Sequence, residues 1–424
     1  MTSDLSRTDW PDTSGQSNKC DVLRSLPGDL HTAAPEDVAL SSKRLARIGS
    51  VVDRYIDAQL IPGALTLVAR RGRIVHCEVR GHANVESQIP LRADTIFRIA
   101  SMTKPVTSVA LMQLYEQGRF QLSDPISKWL PAFEKMEVSV RNQNGEVELV
   151  AAKRAIKVRH VLTHIGGIAN EFGPNAKALA EASRLRGGDE TIGDFVDRLA
   201  QVPLDNQPGR VWSYSRSTCI VGRLVELISG QTLAEYFEEH IFRPLGMVDS
   251  HFFLPEEKLD RFCVAYSPGK GGRIKPGDPA SPKSFWLSKP GVYYMGSGGL
   301  VSTASDYFRF ADMLLHGGRR PEGSRILSRK TVEFMTVNHI GDRPISLSGA
   351  GNGFGLGLGV TLDRGTTHQM PTEGSYTWGG AYNTHWWNDP AEQLFGLVMT
   401  QVRPYAHLRL RQDFQSVVTA AIDD

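Results

Sequence analysis

Two apolar, β-rich runs, residues 64–70 and 73–80, flank Arg71-Gly72 and read as a hairpin. This early hairpin constrains the fold more than any other feature. Two antiparallel strands alone are marginal in water and need more sheet beside them. The stretch that follows is mostly helix-patterned, so the missing partners must come from late in the chain. Residues 355–362, 377–381, 384–387 and 394–400 have the required β-rich composition, and residues 414–422 read as a C-terminal helix. A sheet built from both chain ends is therefore expected, with helices against it. Residues 41–60 carry Leu45, Ile48, Val51, Val52, Ile56 and Leu60 at helical spacing, with Ser41 or Ser42 as N-cap and Pro62-Gly63 as the stop.

Between the two ends, residues 158–163, 191–200, 218–229 and 233–242 have helical periodicity, punctuated by Gly230 and Pro244. Residues 268–290 are rich in Pro, Gly and Ser and read as a surface loop. The expected organisation is a polar tail over residues 1–33, an α/β lobe from 34–100 and 296–424, and a mainly helical lobe over 101–295. The junction of two such lobes is a common place for a site.

Bulk properties exclude several classes. With 41% hydrophobic and 22% charged residues the chain reads as globular, and a net charge of +2 implies no nucleic-acid partner. The basic cluster Arg70-Arg71-Gly72-Arg73 reads as a charged hairpin tip. Cys20, Cys77, Cys219 and Cys263 are scattered, which suggests neither a disulfide framework nor a zinc site. No apolar run approaches the length of a membrane span, and residues 1–34 lack an apolar secretory core. A reduced, cytoplasmic protein without a membrane partner is the expectation.

Chemistry is concentrated at Ser101-Met102-Thr103-Lys104, where a helix-patterned run begins. Residues three apart share a helix face, so the Ser101 hydroxyl and the Lys104 amine point the same way. A hydroxyl is a weak nucleophile until a base takes its proton, and a lysine serves as base only where burial or a nearby cation favours its neutral form. S-x-x-K is a short motif and occurs again at Ser267–Lys270, but there in a glycine-rich loop with no fixed geometry. Tyr214 follows a Pro208-Gly209 turn and precedes a helical run; a phenol beside a lysine cation is a candidate general base. Trp378-Gly379-Gly380-Ala381 ends a strand in paired glycines, which allow a ligand or another backbone to approach, with a free N–H available to an oxyanion. The bland readings are a packed corner tyrosine and a β-bulge. His160 and His164 are four apart, the spacing of a helical zinc pair, but no third ligand stands out. The chain contains no G-x-S-x-G, which argues against a nucleophile elbow.

Taken in order, these stretches resemble the serine β-lactamase and penicillin-binding-protein superfamily, and within it the family VIII carboxylesterases. The matching segments are Phe97-Arg98-Ile99-Ala100-Ser101-Met102-Thr103-Lys104-Pro105, Arg159-His160-Val161-Leu162-Thr163-His164-Ile165-Gly166-Gly167, Tyr214-Ser215-Arg216-Ser217, Pro244-Leu245-Gly246-Met247-Val248-Asp249-Ser250, Gly296-Ser297-Gly298-Gly299-Leu300 and Trp378-Gly379-Gly380. The resemblance implies a β-lactamase-like α/β fold and an acyl-enzyme on Ser101. It implies Lys104 and Tyr214 as the proton-transfer pair, and the N–H groups of Ser101 and Ala381 as the oxyanion hole. It also implies a structural His164, with no metal and no organic cofactor. Trp378, Gly379, Gly380 and Arg216 are the implied substrate-binding residues. Two positions depart from the class C β-lactamase pattern. Arg216 stands where those enzymes have asparagine, and Trp378-Gly379-Gly380 replaces Lys-Thr-Gly. An indole cannot supply the charge-assisted hydrogen bond that a lysine offers a carboxylate. The expected activity is hydrolysis of small neutral carboxylic esters, with acyl transfer or amide and β-lactam hydrolysis as alternatives. Arg216 is the nearby cation that would compensate for the lost lysine if it faced the cleft.

Overall fold

The structure is a computed structural model and describes residues 19–279, 284–287, 291–320 and 322–424, without the side chains of residues 19–21. Its frame is an eight-stranded antiparallel sheet. In chain order the strands are β1 Gly63–Arg70, β2 Arg73–Asn84, β3 Ile89–Pro90, β4 Asn352–Phe354, β5 Gly359–Thr361, β6 Tyr376–Gly379, β7 His385–Asp389 and β8 Leu394–Met399. Across the sheet they run β4-β5-β6-β7-β8-β1-β2-β3. The N-terminal hairpin thus adds directly to the last strand, with Leu65 opposite Met399 and Arg70 opposite Leu394. The hairpin turn works because Arg71 and Gly72 both take positive φ, 54° and 72°, which suits a two-residue loop between twisted strands.

Strand β1 is buried along its whole length because helices cover both faces of the sheet. Its side chains alternate between two cores, as strand geometry requires. Ala64 and Val68 join Val51, Val52, Phe414 and Val418, from α1 Arg47–Asp57 and the C-terminal helix Leu410–Thr419. Leu65 and Leu67 join the larger core, which holds α2 Thr103–Glu116, α3 Ser217–Ser229 and α4 Ala304–Leu315. Helix α2 is buried on nearly every face, from Thr103 to Leu114. Such a helix must be hydrophobic all round, and its sequence Val-Thr-Ser-Val-Ala-Leu-Met is. Its N-terminus emerges where the sheet meets the helical region.

The expected sheet from both chain ends is present, with local differences. Residues 355–362 do not form one strand. Only residues 359–361 of the run are strand, β5; residues 355–358 make the turn from β4, with Gly357 at φ 94°. A Cβ at Gly357 would lie 1.9 Å from Ser108 Oγ on α2, so the turn depends on a residue without one. The tail expected over residues 1–33 is partly structured. Residues 1–18 lie outside the described residues, but Leu26 is in the main core, Ile74 N donates to His31 O, and Asp29 pairs with Arg309. The hairpin tip is not simply a charged surface either. Arg70 is buried, where it meets Glu392, Asp424 and the carbonyls of Val38 and Ala39. Among the described residues the region between the sheet halves is helix and loop, apart from the strand pair Phe97–Arg98 with Val301–Ser302 and two added hairpins, Glu137–Arg141 with Val147–Ala151 and Tyr266–Pro268 with Ile274–Pro276. The second lies inside the expected surface loop and puts Ser267 on a strand; residues 280–283 and 288–290 of that loop lie outside the described residues. Among the described residues no helix is long and apolar enough to cross a membrane.

Candidate active site

The strand Phe97–Arg98 pairs with Val301–Ser302 and then turns sharply into α2. Ala100 carries the turn at φ 44°, in the left-handed region. Positive φ costs a non-glycine residue energy, so the surroundings must impose it. Two residues before the turn, Arg98 is anchored in the interior. Its guanidinium binds Asp278 at 2.7 Å and the Cys263 carbonyl at 2.7 Å, and stacks 4.0 Å from the Phe262 ring centre. The short 3₁₀ turn Ala100–Met102 then delivers Ser101 to the cleft.

Lys104 follows one turn later and is only 3% exposed. Its Nζ donates to Ser101 Oγ at 3.1 Å and to Ser297 O at 2.5 Å, and it lies 4.7 Å from the Tyr214 ring centre. No carboxylate forms an ion pair with it among the described residues. The segment that carries this carbonyl is held by α2 and α3. Thr107 donates to Gly296 O at 2.7 Å, Thr103 accepts from Leu300 N at 3.1 Å, and Cys219 Sγ bonds Ser297 Oγ at 3.0 Å. Tyr214 completes the group, its hydroxyl donating to Ser101 Oγ at 2.8 Å. The structure therefore brings Ser101, Lys104 and Tyr214 within mutual contact, although Tyr214 is far away in sequence.

Tyr214 is held by rings. Trp212 stacks at 6.3 Å, Trp378 lies at 5.5 Å and His164 at 5.0 Å. His164 is fully buried; burial, with a smaller push from Lys104, holds its pKa down at about 3. It is thus neutral. Its Nδ1 accepts from Ser215 N and its carbonyl from Ser213 N, so it clamps the irregular segment that carries Tyr214. His160 faces elsewhere, accepting from Lys157 N. Among the described residues no cluster of His, Cys, Asp or Glu is arranged to hold a metal.

The Trp-Gly-Gly segment is not where a cleft wall would be. Trp378 is 7% exposed and backs Tyr214 together with Phe354. A Cβ at Gly379 would meet Arg411 at 2.6 Å, and one at Gly380 would meet Ile99 O at 2.3 Å. Both glycines let the end of β6 press against its neighbours, which brings Ala381 alongside the Ser101 turn. The cleft lining includes Ser101 and Ala381 but not Trp378, Gly379 or Gly380. Among the described residues the Ala381 N–H has no protein acceptor. The Ser101 N–H belongs to the first turn of a helix, where amides lack intrahelical acceptors.

Arg216 does line the cleft, but Glu171 holds its guanidinium at 3.0 Å. The second cationic arm of the cleft, Arg403, lies on a loop after β8. Nothing in the local sequence distinguishes it. The cleft measures about 660 Å³ and its inner walls are mostly apolar, with Phe195, Phe285, Trp286 and Tyr293 among them. At its mouth Phe172 is 94% exposed. Chemically, the arrangement offers a hydroxyl between two proton-transfer groups and an amide facing open space, inside an apolar, roomy cleft.

Comparison with known proteins agrees with this geometry. The family model described as Beta-lactamase matches residues 48–419. An uncharacterized protein of Mycobacterium tuberculosis is 33% identical over 361 residues, covering 82% of this chain and 88% of its own. Esterase EstB of Burkholderia gladioli is 29% identical over 372 residues, covering 84% and 90%. Among solved structures, EstCE1, a hydrolase with promiscuous acyltransferase activity, superimposes with a TM-score of 0.73 at 25% identity, covering 90% of this chain and 99% of its own. The chain belongs to the β-lactamase family.

Proposed function

We propose that the protein is a serine esterase that hydrolyses small carboxylic esters through an acyl-enzyme on Ser101. The observation that carries this reading is the Ser101 hydroxyl, which accepts from both Lys104 Nζ at 3.1 Å and Tyr214 OH at 2.8 Å. In the proposed reaction the Lys104/Tyr214 pair has first given up one proton, and Ser101 Oγ attacks the ester carbonyl while its own proton passes into that vacant site of the pair. The developing oxyanion is met by the N–H groups of Ser101 and Ala381. Collapse expels the alcohol, which takes the proton back from the pair. Water then attacks the acyl-enzyme, giving a proton to the pair through Tyr214, and the pair returns that proton to Ser101 Oγ as the acid leaves. Microscopic reversal of roles between the two halves is the ordinary logic of covalent catalysis.

Esters rather than β-lactams are favoured because Trp378 supplies no charge beside the reacting group and Arg216 is engaged by Glu171. A carboxylate entering a partly desolvated position without a cation carries a cost of several kcal/mol. The similarity to esterase EstB supports the same choice. Transfer to an alcohol in place of water is a second reading, supported by the roomy cleft and by the acyltransferase activity named for EstCE1. The test is direct. A covalent serine probe should label Ser101 alone, and kcat/KM for p-nitrophenyl butyrate should exceed that for nitrocefin. Labelling at Ser267 or Ser297, or a preference for nitrocefin, would overturn the reading; added alcohols that divert the acyl group would favour the second.

A further inference from the structure

We propose that Arg403 makes the cleft select esters that carry a carboxylate at a distance from the reacting carbonyl. The inference rests on the esterase reading and adds a charge to its substrate. Four ionisable side chains other than tyrosine line the cleft: Lys104, Glu171, Arg216 and Arg403. Lys104 is directed at Ser101 and the Ser297 carbonyl, and Arg216 at Glu171. Arg403 is exposed, and among the described residues no carboxylate lies within ion-pairing distance of it. Its neighbour is a phenol: the Tyr382 ring centre is 5.9 Å from the Arg403 Cζ.

The position is fixed even though the side chain reaches into open space. Arg403 N donates to Tyr266 O at 2.9 Å, and Val402 N donates to Tyr382 O at 3.1 Å. That second bond ties the arginine loop to the residue immediately after Ala381. The arginine loop is thereby anchored to the segment that carries Ala381, and the Arg403 side chain lines the cleft. Behind it, Tyr382 packs edge-on against Trp286 at 5.8 Å, and both rings are backed by the buried Arg98, whose Cζ is 6.0 Å and 5.5 Å from their centres. Arg98 is already neutralised by Asp278. The corner thus has an aromatic wall and one cation with no acid to answer it. A guanidinium recognises a carboxylate through paired, charge-assisted hydrogen bonds, and an uncompensated cation in a low-dielectric cleft also draws anions in. The favoured substrate is a monoanionic ester: neutral around the scissile bond and anionic further along.

Three esters test this on the full chain: p-nitrophenyl butyrate, mono-p-nitrophenyl glutarate with its carboxylate on the acyl part, and 4-carboxy-2-nitrophenyl butyrate with its carboxylate on the alcohol part. The readout is the kcat/KM ratio of each anionic ester to the neutral one. Arg403→Gln should lower that ratio about tenfold for the ester whose carboxylate reaches the corner, mainly through KM. Arg403→Lys should keep most of it, and added salt should shrink it in the parent protein. The ester affected tells whether the anion belongs to the acyl or the alcohol part. If neither ratio changes in Arg403→Gln, the proposal is wrong while ester hydrolysis stands. If the parent protein turns over none of the three, the esterase reading fails and this inference falls with it.

Discussion

At the scale of single residues, the site depends on one hydroxyl held by two groups from opposite sides. Removing either should disable the same step. Lys104→Ala and Tyr214→Phe are each expected to cut kcat at least ~10²-fold, the usual cost of losing general acid–base assistance. Because the two act on one proton, the double variant should be little worse than either single. Steady-state kinetics of all three variants decide it; fully multiplicative losses would assign the residues to separate steps. Tyr214→Phe keeps the ring contacts to Trp212, Trp378 and His164, so its melting temperature should stay close to the parent's. The Ser101–Lys104 relation was legible in sequence because it is local: three residues on a helix share a face. Tyr214 was legible as a corner tyrosine, but its distance from Ser101 followed only from family resemblance, since no local rule spans so long a separation. Arg403 was illegible, being an arginine in a loop whose placement depends on Tyr266 and Tyr382. Arg216 was legible as a cation near the cleft, but not its capture by Glu171.

At the scale of elements, the fine positioning of the site comes from close backbone approach. The end of β6 lies against the Ile99–Ser101 turn only because Gly380 has no side chain; a Cβ there would sit 2.2 Å from Thr384 Oγ1 and 2.3 Å from Ile99 O. Gly380→Ala should therefore push β6 and the Ser101 turn apart. The expected cost is about 1–3 kcal/mol, typical of overpacking, accompanied by a fall in kcat because Ala381 moves with the strand. Gly28→Ala is the control, since nothing lies within 4 Å of a Cβ there. Thermal melts of both variants should separate them; equal melting temperatures would show that β6 yields at no cost. The sheet strands were legible from β-rich runs, but the turn between β4 and β5 was hidden, because Gly357 turns in response to Ser108 on α2, a tertiary contact. The Glu137–Arg141 hairpin was announced by Asn144-Gly145 between alternating runs, a strong turn signal, and was obscured by the helical patterns around it.

At the scale of the whole molecule, folding lowers the pKa of five histidines from different segments, His160 and His164 being buried and His251, His339 and His385 half-buried. Burial is the first cause in each case, and cationic neighbours add to it. His160 and His251 are held down at about 4, and His164 and His385 at about 3. In the unfolded chain each would take its proton near pH 6.5. Between that value and about pH 4 the unfolded state therefore binds more protons than the native one. Stability rises with pH wherever that holds, so it should be fully present above pH 6.5 and drain away as pH falls toward 4. Two groups oppose or flank this trend. Burial raises Asp306 to about 6, so the native state holds a proton there that the unfolded chain releases near pH 3.8, which offsets part of the acid loss. His316, raised to about 8 by Asp312, contributes stability that is present below pH 6.5 and lost as pH rises through 8. Five histidines against one carboxyl leave a net loss on the acid side, with the maximum close to neutrality. Urea unfolding at pH 5 and pH 7 should give the lower midpoint at pH 5, and unfolding at pH 5 should take up protons from the buffer. A midpoint that is flat or higher at pH 5 would mean that one or more of these histidines is charged in the native protein. His164 would be the first to re-examine, because a charged imidazole behind Tyr214 would change the electrostatics of the Ser101 site itself.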